Sequence, residues 1–235
     1  SERSRGLGDV YKRQDVVVEN FRSDVKFRLG VDYDTLRAIN PKLIYASISG
    51  FGQDGPYRSR PGVDQIIQGM SGLMSVTGAP GMGPMRVGVA ISDTSAGMFL
   101  GQGILLALLH RERTGEGQWV HTSLLEAMLS KLDFQGARYT MDGEVPTQQG
   151  NDHPTQVPMG TFEAQDGYVN IAAFGSHMWQ RFCDALGAEA LFEHPDYQRV
   201  SERVGKREQI KEDMNRITRT LSLIHISEPT RPLRI

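Results

Sequence analysis

Two apolar runs, Asp15-Val-Val-Val-Glu-Asn20-Phe21 and Leu43-Ile-Tyr-Ala-Ser-Ile-Ser49, decide the fold. The first is β-branched through its centre and ends in polar residues, as a buried parallel strand does at its carboxyl end. Between them, Asp34-Thr-Leu-Arg-Ala-Ile-Asn40 has helical spacing and stops before Pro41, which biases its predecessor out of the helical region. Arg22 and Arg28 lie on another segment of helical spacing, with Val25 and Leu29. Strand, helix, strand in this order predicts a βαβ unit, hence a parallel sheet with a right-handed crossover. In open α/β sheets ligands bind at the carboxyl ends of the strands.

Beyond Ser49, Gly50-Phe-Gly-Gln-Asp-Gly-Pro-Tyr-Arg-Ser-Arg60-Pro-Gly62 is a loop by composition, and it carries Arg58 and Arg60. On its residues alone it reads equally well as a plain surface loop. Asp64 to Met74 is an apolar helix, and Thr77 to Pro84 a turn-rich connection. Val87, Val89 and Ile91 alternate with small residues and predict a short buried strand. Asp93 then opens a long apolar run, Met98 to Leu109, closed by Thr114-Gly115, so a helix with an acidic N-cap and a glycine stop is expected. A carboxylate there sits beside unpaired backbone N–H groups and the positive end of the helix dipole, an effect of about 0.3–1 kcal/mol. Asp93 is either a cap and nothing more, or an ionised acid aimed at a ligand. The apolar run is too short to span a bilayer and contains Gln102. Gly97-x-x-x-Gly101 lets a neighbouring backbone or a ligand approach closely.

Gly115 to Gln118 is a tight turn and Trp119-Val-His-Thr a short strand. Ser123-Leu-Leu-Glu126 is a capping box that gives Glu126 a structural task and starts a helix to about Met141. Asp142 to Pro158 is polar and turn-rich, the mark of a domain boundary. After it come a hairpin turning at Gln165-Asp-Gly167 and amphipathic helices at Met178 to Leu186 and Arg203 to Ile217.

Composition excludes several classes. The chain of 235 residues is 39% hydrophobic and 23% charged with a formal charge of −2, which leaves no basic footprint for nucleic acid and no sign of disorder. Cys183 is the only cysteine, so an intramolecular disulfide and a multi-cysteine metal site are ruled out, and a reducing, cytoplasmic compartment is expected. His110, His121, His153, His177 and His194 have no ligand spacing, so no metal is expected. Dinucleotide and nucleoside-triphosphate readings lack their glycine motifs.

The two ends differ from the rest. A coding string for Ser4 to Gln14, read as its reverse complement, translates as Leu221 to Arg231. Ends that encode each other's opposite strand resemble a sequencing adapter read through in frame, and they are set apart from the fold. The expected organisation is an adapter-like, non-native segment at 1–14, part of a large domain at 15–141, a linker at 142–158, the start of a small domain at 159–220, and a second adapter-like segment at 221–235. The segment from Asp15 to Thr220 is expected to be a fragment.

With these residues assembled, the chain resembles the class III CoA-transferases, the CaiB/BaiF family. The motifs that carry the resemblance are Glu-Asn-Phe-Arg from Glu19, Ser-Ile-Ser-Gly-Phe-Gly-Gln-Asp-Gly-Pro from Ser47, Arg-Pro-Gly-Val-Asp from Arg60, Ala-Ile-Ser-Asp ending at Asp93, and Thr-Gly-x-Gly-Gln from Thr114. The resemblance implies an α/β fold with a parallel, Rossmann-like sheet in a large domain, followed by a smaller α+β domain. It places Asp93 at the family's catalytic aspartate, and Asn20, Phe21, Arg22, Arg28, Arg60, Pro61, Gly62 and Val63 at its CoA-binding positions. It further implies coenzyme A as part of an acyl-CoA substrate, a carboxylic acid acceptor (a diacid beside succinyl-CoA) and an interlocked homodimer, with neither nucleic acid nor membrane as a partner. The implied chemistry is covalent, through an aspartyl anhydride and an aspartyl-CoA thioester. Backbone N–H groups at Thr94 to Ala96 are expected to receive the developing oxyanion.

Two alternatives come from other classes. Related α-methylacyl-CoA racemases place a histidine between the glycine and the acid of a Gly-His-Asp motif, where this chain has Val63 between Gly62 and Asp64. Without that base, racemisation lacks one of its two proton carriers. The other alternative is a non-catalytic CoA-binding fragment. A glycine run that covers the catalytic acid in some members is replaced here by Gly150-Asn-Asp-His-Pro-Thr-Gln-Val-Pro158.

Overall fold

In the computed structural model, which describes residues 13–227, the two apolar runs form β1 (Val16–Glu19) and β2 (Ile44–Ser49). They are joined by two short helices, α1 (Val25–Leu29) and α2 (Tyr33–Ile39). The Asp32 carboxylate accepts from the Thr35 N–H and caps α2, which ends on Asn40 ahead of Pro41. β1 pairs with β2 in parallel, Val16 opposite Ile44 and Glu19 opposite Ser47. β3 (Trp119–Ser123) pairs in parallel with the other edge of β2, Tyr45 opposite Trp119, giving the order β1-β2-β3. The α/β class with a parallel sheet is therefore observed.

Side chains alternate across this sheet, and each set has its own cover. On one side Val17, Tyr45 and Trp119 pack with Val31, Tyr33, Leu36 and Leu43. On the other, Ile48 meets a cluster of Ile67, Ala96, Leu124, Ala127 and Met128. The second cluster draws on α3 (Asp64–Met70), α5 (Ile91–Thr114) and α6 (Leu124–Lys131); α4 (Leu73–Val76) lies between α3 and α5 in the chain. Burying each of the larger side chains, Ile67, Leu124 and Met128, contributes about 1.5–3 kcal/mol. The Ser123 hydroxyl accepts from the Glu126 N–H at 3.1 Å, so the Ser123 half of the capping box is present, whereas the exposed Glu126 side chain has no hydrogen-bond partner among the described residues and lacks the structural task expected of it.

Three expectations are corrected. Val87 to Ile91 form no strand: the Gln68 side-chain amide accepts from the Val87 N–H at 2.9 Å and donates to the Val89 carbonyl at 3.2 Å. One side chain thus satisfies the backbone groups that a strand partner would have taken. The long helix begins at Ile91, and Ala90 occupies the cap position that had been expected of Asp93. α5 runs on for 24 residues, beyond the apolar run itself, and an 18-residue window within it has a mean hydropathy of 1.2, enough by length and composition alone to cross a membrane. Its Ser92, Ser95, Ala96, Leu100 and Ala107 are buried, whereas Met98, Leu105, Leu106 and Leu109 stay exposed. The single helix expected from Ser123 to Met141 is two, α6 and α7 (Asp133–Asp142), broken where Asp133 takes a φ of +48°.

The chain divides into two compact units, residues 1–148 and 149–235. In the second, β4 (Met159–Ala164) and β5 (Gly167–Ala172) form an antiparallel hairpin, Phe162 opposite Val169. Among the described residues five α-helices follow: α8 (Ser176–Leu186), α9 (Glu189–Phe192), α10 (Val200–Gly205), α11 (Arg207–Thr218) and α12 (Leu223–Ser227). Phe162, Ile171, Trp179, Tyr197, Ile210 and Met214 make its core. Arg203 is fully buried there and donates to the carbonyls of Val157 at 2.8 Å, Tyr197 at 2.7 Å and Phe174 at 2.6 Å. Of the adapter-like segments, residues 1–12 and 228–235 lie outside the described residues. Of the rest, the Leu221 carbonyl accepts from the Gln165 N–H, and the Leu223 N–H donates to Asp166.

Candidate functional site

The first turn of α5 holds two acids in different states. Asp64, the first residue of α3, is 8% exposed and accepts from both the Ser92 N–H (2.9 Å) and the Ser92 hydroxyl (2.8 Å) through Oδ1. Its Oδ2 accepts from Gln68 at 2.8 Å and lies 3.5 Å from Arg86 Nη2. The cap of α5 is thus supplied from a distant part of the chain. Burial alone works against charging Asp64, but the bonds from Ser92, Gln68 and Arg86 together hold its carboxyl below the ordinary range.

Asp93, next along α5, does none of this capping. Its side chain is exposed, and among the described residues it has no hydrogen-bond or ion-pair partner. Its carboxyl is nonetheless raised, first by the partial desolvation of its seat and then by the negative charge of Asp64. Two anions are thus built into one helix start, one fully engaged and one with its oxygen lone pairs open. An open carboxylate of raised basicity, with a fixed neighbour that discourages its resting charge, is suited to attack an electrophile.

The expected oxyanion donors do not fit. Because α5 starts two residues before Asp93, the Thr94 N–H is already given to the Ala90 carbonyl at 3.1 Å. Thr94 to Ala96 lie inside the helix, and their expected role is withdrawn.

The second group of candidates gathers at the carboxyl end of β1 and in the loop that follows β2. Asn20, Phe21, Arg22 and Arg28 are exposed, on β1's exit and on α1. Arg22 pairs at 3.3 Å with Asp24 on the surface. The loop joins them directly, since the Ser23 hydroxyl donates to the Arg58 carbonyl at 2.7 Å. Arg60 stacks its guanidinium over Tyr57, 4.2 Å from the ring centroid, and Tyr57 meets Phe51 edge-on. Arginines and aromatic faces held together in this way can take phosphates and a nucleobase.

Gly62 has a distinct task. A Cβ on Gly62 would lie 2.5 Å from the Gly50 Cα, and a Cβ on Gly50 would meet Gly62 just as closely. The two glycines pinch the loop at its neck. That pinch delivers Arg60, Pro61 and Val63 to the start of α3, where Asp64 reaches Ser92 beside Asp93. Val63 is an exposed aliphatic side chain at the N-cap of α3 and holds no proton to give or take.

Asp64, Gln68 and Ser92 were not found as site residues from the sequence. The signal was there in part, since Asp64 and Gln68 share a helix face at i, i+4, but their target lies far along the chain. In the second unit, His153 Nδ1 accepts from the Thr155 and Gln156 N–H groups, and Asp152 pairs with Lys211 at 2.8 Å. The Gly150–Pro158 segment is thereby held as a turn. Among the described residues no group of His, Cys, Asp and Glu is placed to hold a metal ion.

The sequence model of CoA-transferase family III matches residues 5–230, a span that takes in part of both mirrored ends. The chain is 40% identical over 203 residues to a succinate–glutarate CoA-transferase of Agrobacterium fabrum, covering 86% of this chain and 51% of that protein. It is 39% identical over 204 residues to an acetyl-CoA:oxalate CoA-transferase of Acetobacter aceti, covering 86% and 52%. Among solved structures, a CaiB/BaiF family protein from Brucella suis superposes with a TM-score of 0.83 at 35% identity, over 98% of this chain and 61% of that one. The chain therefore spans about half the length of the relatives it matches.

Proposed function

The chain belongs to CoA-transferase family III, and on that premise we propose that it moves CoA from an acyl-CoA donor to a carboxylic acid, with Asp93 as the group that becomes acylated. The division of labour between the two acids carries this reading. Asp64 does the structural work of capping α5, which leaves Asp93 open and of raised basicity.

In the proposed sequence an Asp93 carboxylate oxygen attacks the donor's thioester carbonyl and expels CoA as the thiolate, giving a mixed anhydride. The thiolate attacks the aspartyl carbonyl of that anhydride, the donor acid leaves as its carboxylate, and Asp93 now carries CoA as a thioester. The acceptor carboxylate attacks the aspartyl carbonyl and expels the thiolate, forming a second anhydride. The thiolate then attacks the acceptor's acyl carbon, and Asp93 leaves as free carboxylate. No proton is gained or lost overall, so the site needs no general base. This agrees with Val63, which stands where the racemase reading requires a histidine.

Arg22, Arg28 and Arg60, with Phe21, are proposed to hold the phosphates and adenine of CoA, and Asn20 to bond its polar edge. A diacid acceptor is supported by the relatives, whose names include succinate, glutarate and oxalate. The working enzyme is proposed to be a cytoplasmic homodimer.

The test is a quench experiment on the protein extended to the length of its relatives. Acyl-CoA plus hydroxylamine should convert Asp93 to a hydroxamate that mass spectrometry locates. Turnover without any covalent label at Asp93, or full activity in Asp93→Ala, would end the proposal.

A further inference from the structure

The loop that presents Arg58 and Arg60 is fastened to the sheet by a cation that acyl transfer does not use. Lys26, on α1, is only 2% exposed. Its ammonium lies 3.5 Å from Glu19 Oε1 at the end of β1, donates to Gln53 Oε1 in the loop, and sits 4.5 Å from the centroid of the Trp119 ring on β3. Glu19 is itself 6% exposed; its Oε2 accepts from the Phe21 N–H at 2.7 Å, while its Oε1 has no hydrogen-bond partner and faces the ammonium.

A lysine on a short surface helix ordinarily turns its charge to water along a flexible stem. Here the charge is turned inward, which is costly unless it is well paired. Burial pulls the ammonium's pKa down, and Glu19 works in the opposite direction. What the arrangement accomplishes is a junction of three chain segments, β1's exit, the 50–62 loop and the start of β3. It stands next to the Ser23–Arg58 bond, the other tie between α1's segment and the loop.

We propose that Lys26 is a positioning residue for the acyl-CoA substrate: by holding Gln53 against Glu19 it fixes the spacing between the Arg22/Arg28 segment and the Arg58/Arg60 loop before the nucleotide arrives. The inference rests on the nucleotide reading of those arginines given above. A clamp whose two jaws are already set avoids the ordering that a free loop would undergo on binding.

Gln53→Ala separates the tie from the ion pair, because it removes the loop's acceptor and leaves Lys26 with Glu19. The melting temperature should fall by only a few degrees, less than when Glu19 is left without its cation. Amide hydrogen exchange at residues 51–60 should quicken by about tenfold, and CoA should bind about tenfold more weakly in titration calorimetry, the size expected for one lost charge-assisted hydrogen bond. Lys26→Met should show the same two losses with a lower melting temperature, since Glu19 is left uncompensated. The double variant Glu19→Gln/Lys26→Met, which buries no lone charge, should regain the melting temperature but not the CoA affinity. Unaltered CoA affinity in both Gln53→Ala and the double variant overturns the inference alone. If the unsubstituted chain itself binds no CoA, the nucleotide reading falls, and this inference with it.

Discussion

Among the described residues, each compact unit buries one basic side chain deeply, and the two are held in opposite ways. Arg203, in the 149–235 unit, donates to three backbone carbonyls, from the segments at Val157, Phe174 and Tyr197, and stacks beside Trp179. Lys26, in the 1–148 unit, meets a carboxylate and a side-chain amide. The guanidinium is a planar fork that can tie several carbonyls at once, so Arg203 is a staple of the fold. The ammonium is a compact point charge held by side chains, and one of its partners lies on an open loop. Lys26 thus ties side chains at the sheet's edge to a loop, whereas Arg203 holds backbone to backbone.

Asp93→Asn gives the largest expected effect on the first unit's side of this contrast. Transferase turnover, measured in the protein extended to the length of its relatives, should fall at least about a thousandfold, ~4 kcal/mol of barrier, without loss of stability. Because the folded state raises the Asp93 carboxyl, ionisation of Asp93 opposes folding at neutral pH. The variant should therefore melt no lower than the parent at pH 7, and any gain should vanish as pH drops below the ordinary carboxylate value near 4. A clear fall in melting temperature at pH 7 would make Asp93 structural and break the contrast.

Arg203→Met should do the reverse. It strands three buried carbonyls and should destabilise by about 3–5 kcal/mol in chemical denaturation, while leaving the environment of Asp93 intact. Gly62→Ala forces a Cβ into the Gly50 backbone and should remove about 1–3 kcal/mol of stability; a shift below about half a kcal/mol would show that the neck can open.

The smallest effect sharpens the pairing of acids. Asp64→Asn removes the like charge beside Asp93, so the acid limb of the pH–rate profile should move to lower pH. Asp64 itself, depressed by its hydrogen bonds, contributes stability that is present above its unfolded value and is lost as pH falls through its lower folded value. That acid-labile contribution should be missing from the variant's melting profile below pH 4.

Much of the fold was legible in the sequence because its signals are local. The β-branched run at Val16–Val18, the stop at Asn40-Pro41, the Ser123 cap and the Gln165-Asp-Gly167 turn each carry their cause within a few residues, and each forms as read. The start of α5 was not legible in the same way. Alternation at Val87, Val89 and Ile91 has a strand's period, but Gln68 meets the backbone that a strand would have paired. Asp93 was read as a cap because it is the nearest acid, whereas the bond that caps Ser92 comes from Asp64, 28 residues earlier. Lys26 reads as a solvated helical charge, and nothing next to it in sequence shows that Glu19 and Gln53 will enclose it. The break at Asp133 has neither glycine nor proline to announce it.

The contact between Gly50 and Gly62 separates the identity of the loop from its attachment. Closing a longer loop over the same neck adds only about 0.6 kcal/mol for each doubling of its length. The length of chain between the two glycines can therefore vary at little cost, provided the ties at Gln53 and Arg58 are kept, while a side chain on either closing glycine must push the neck apart.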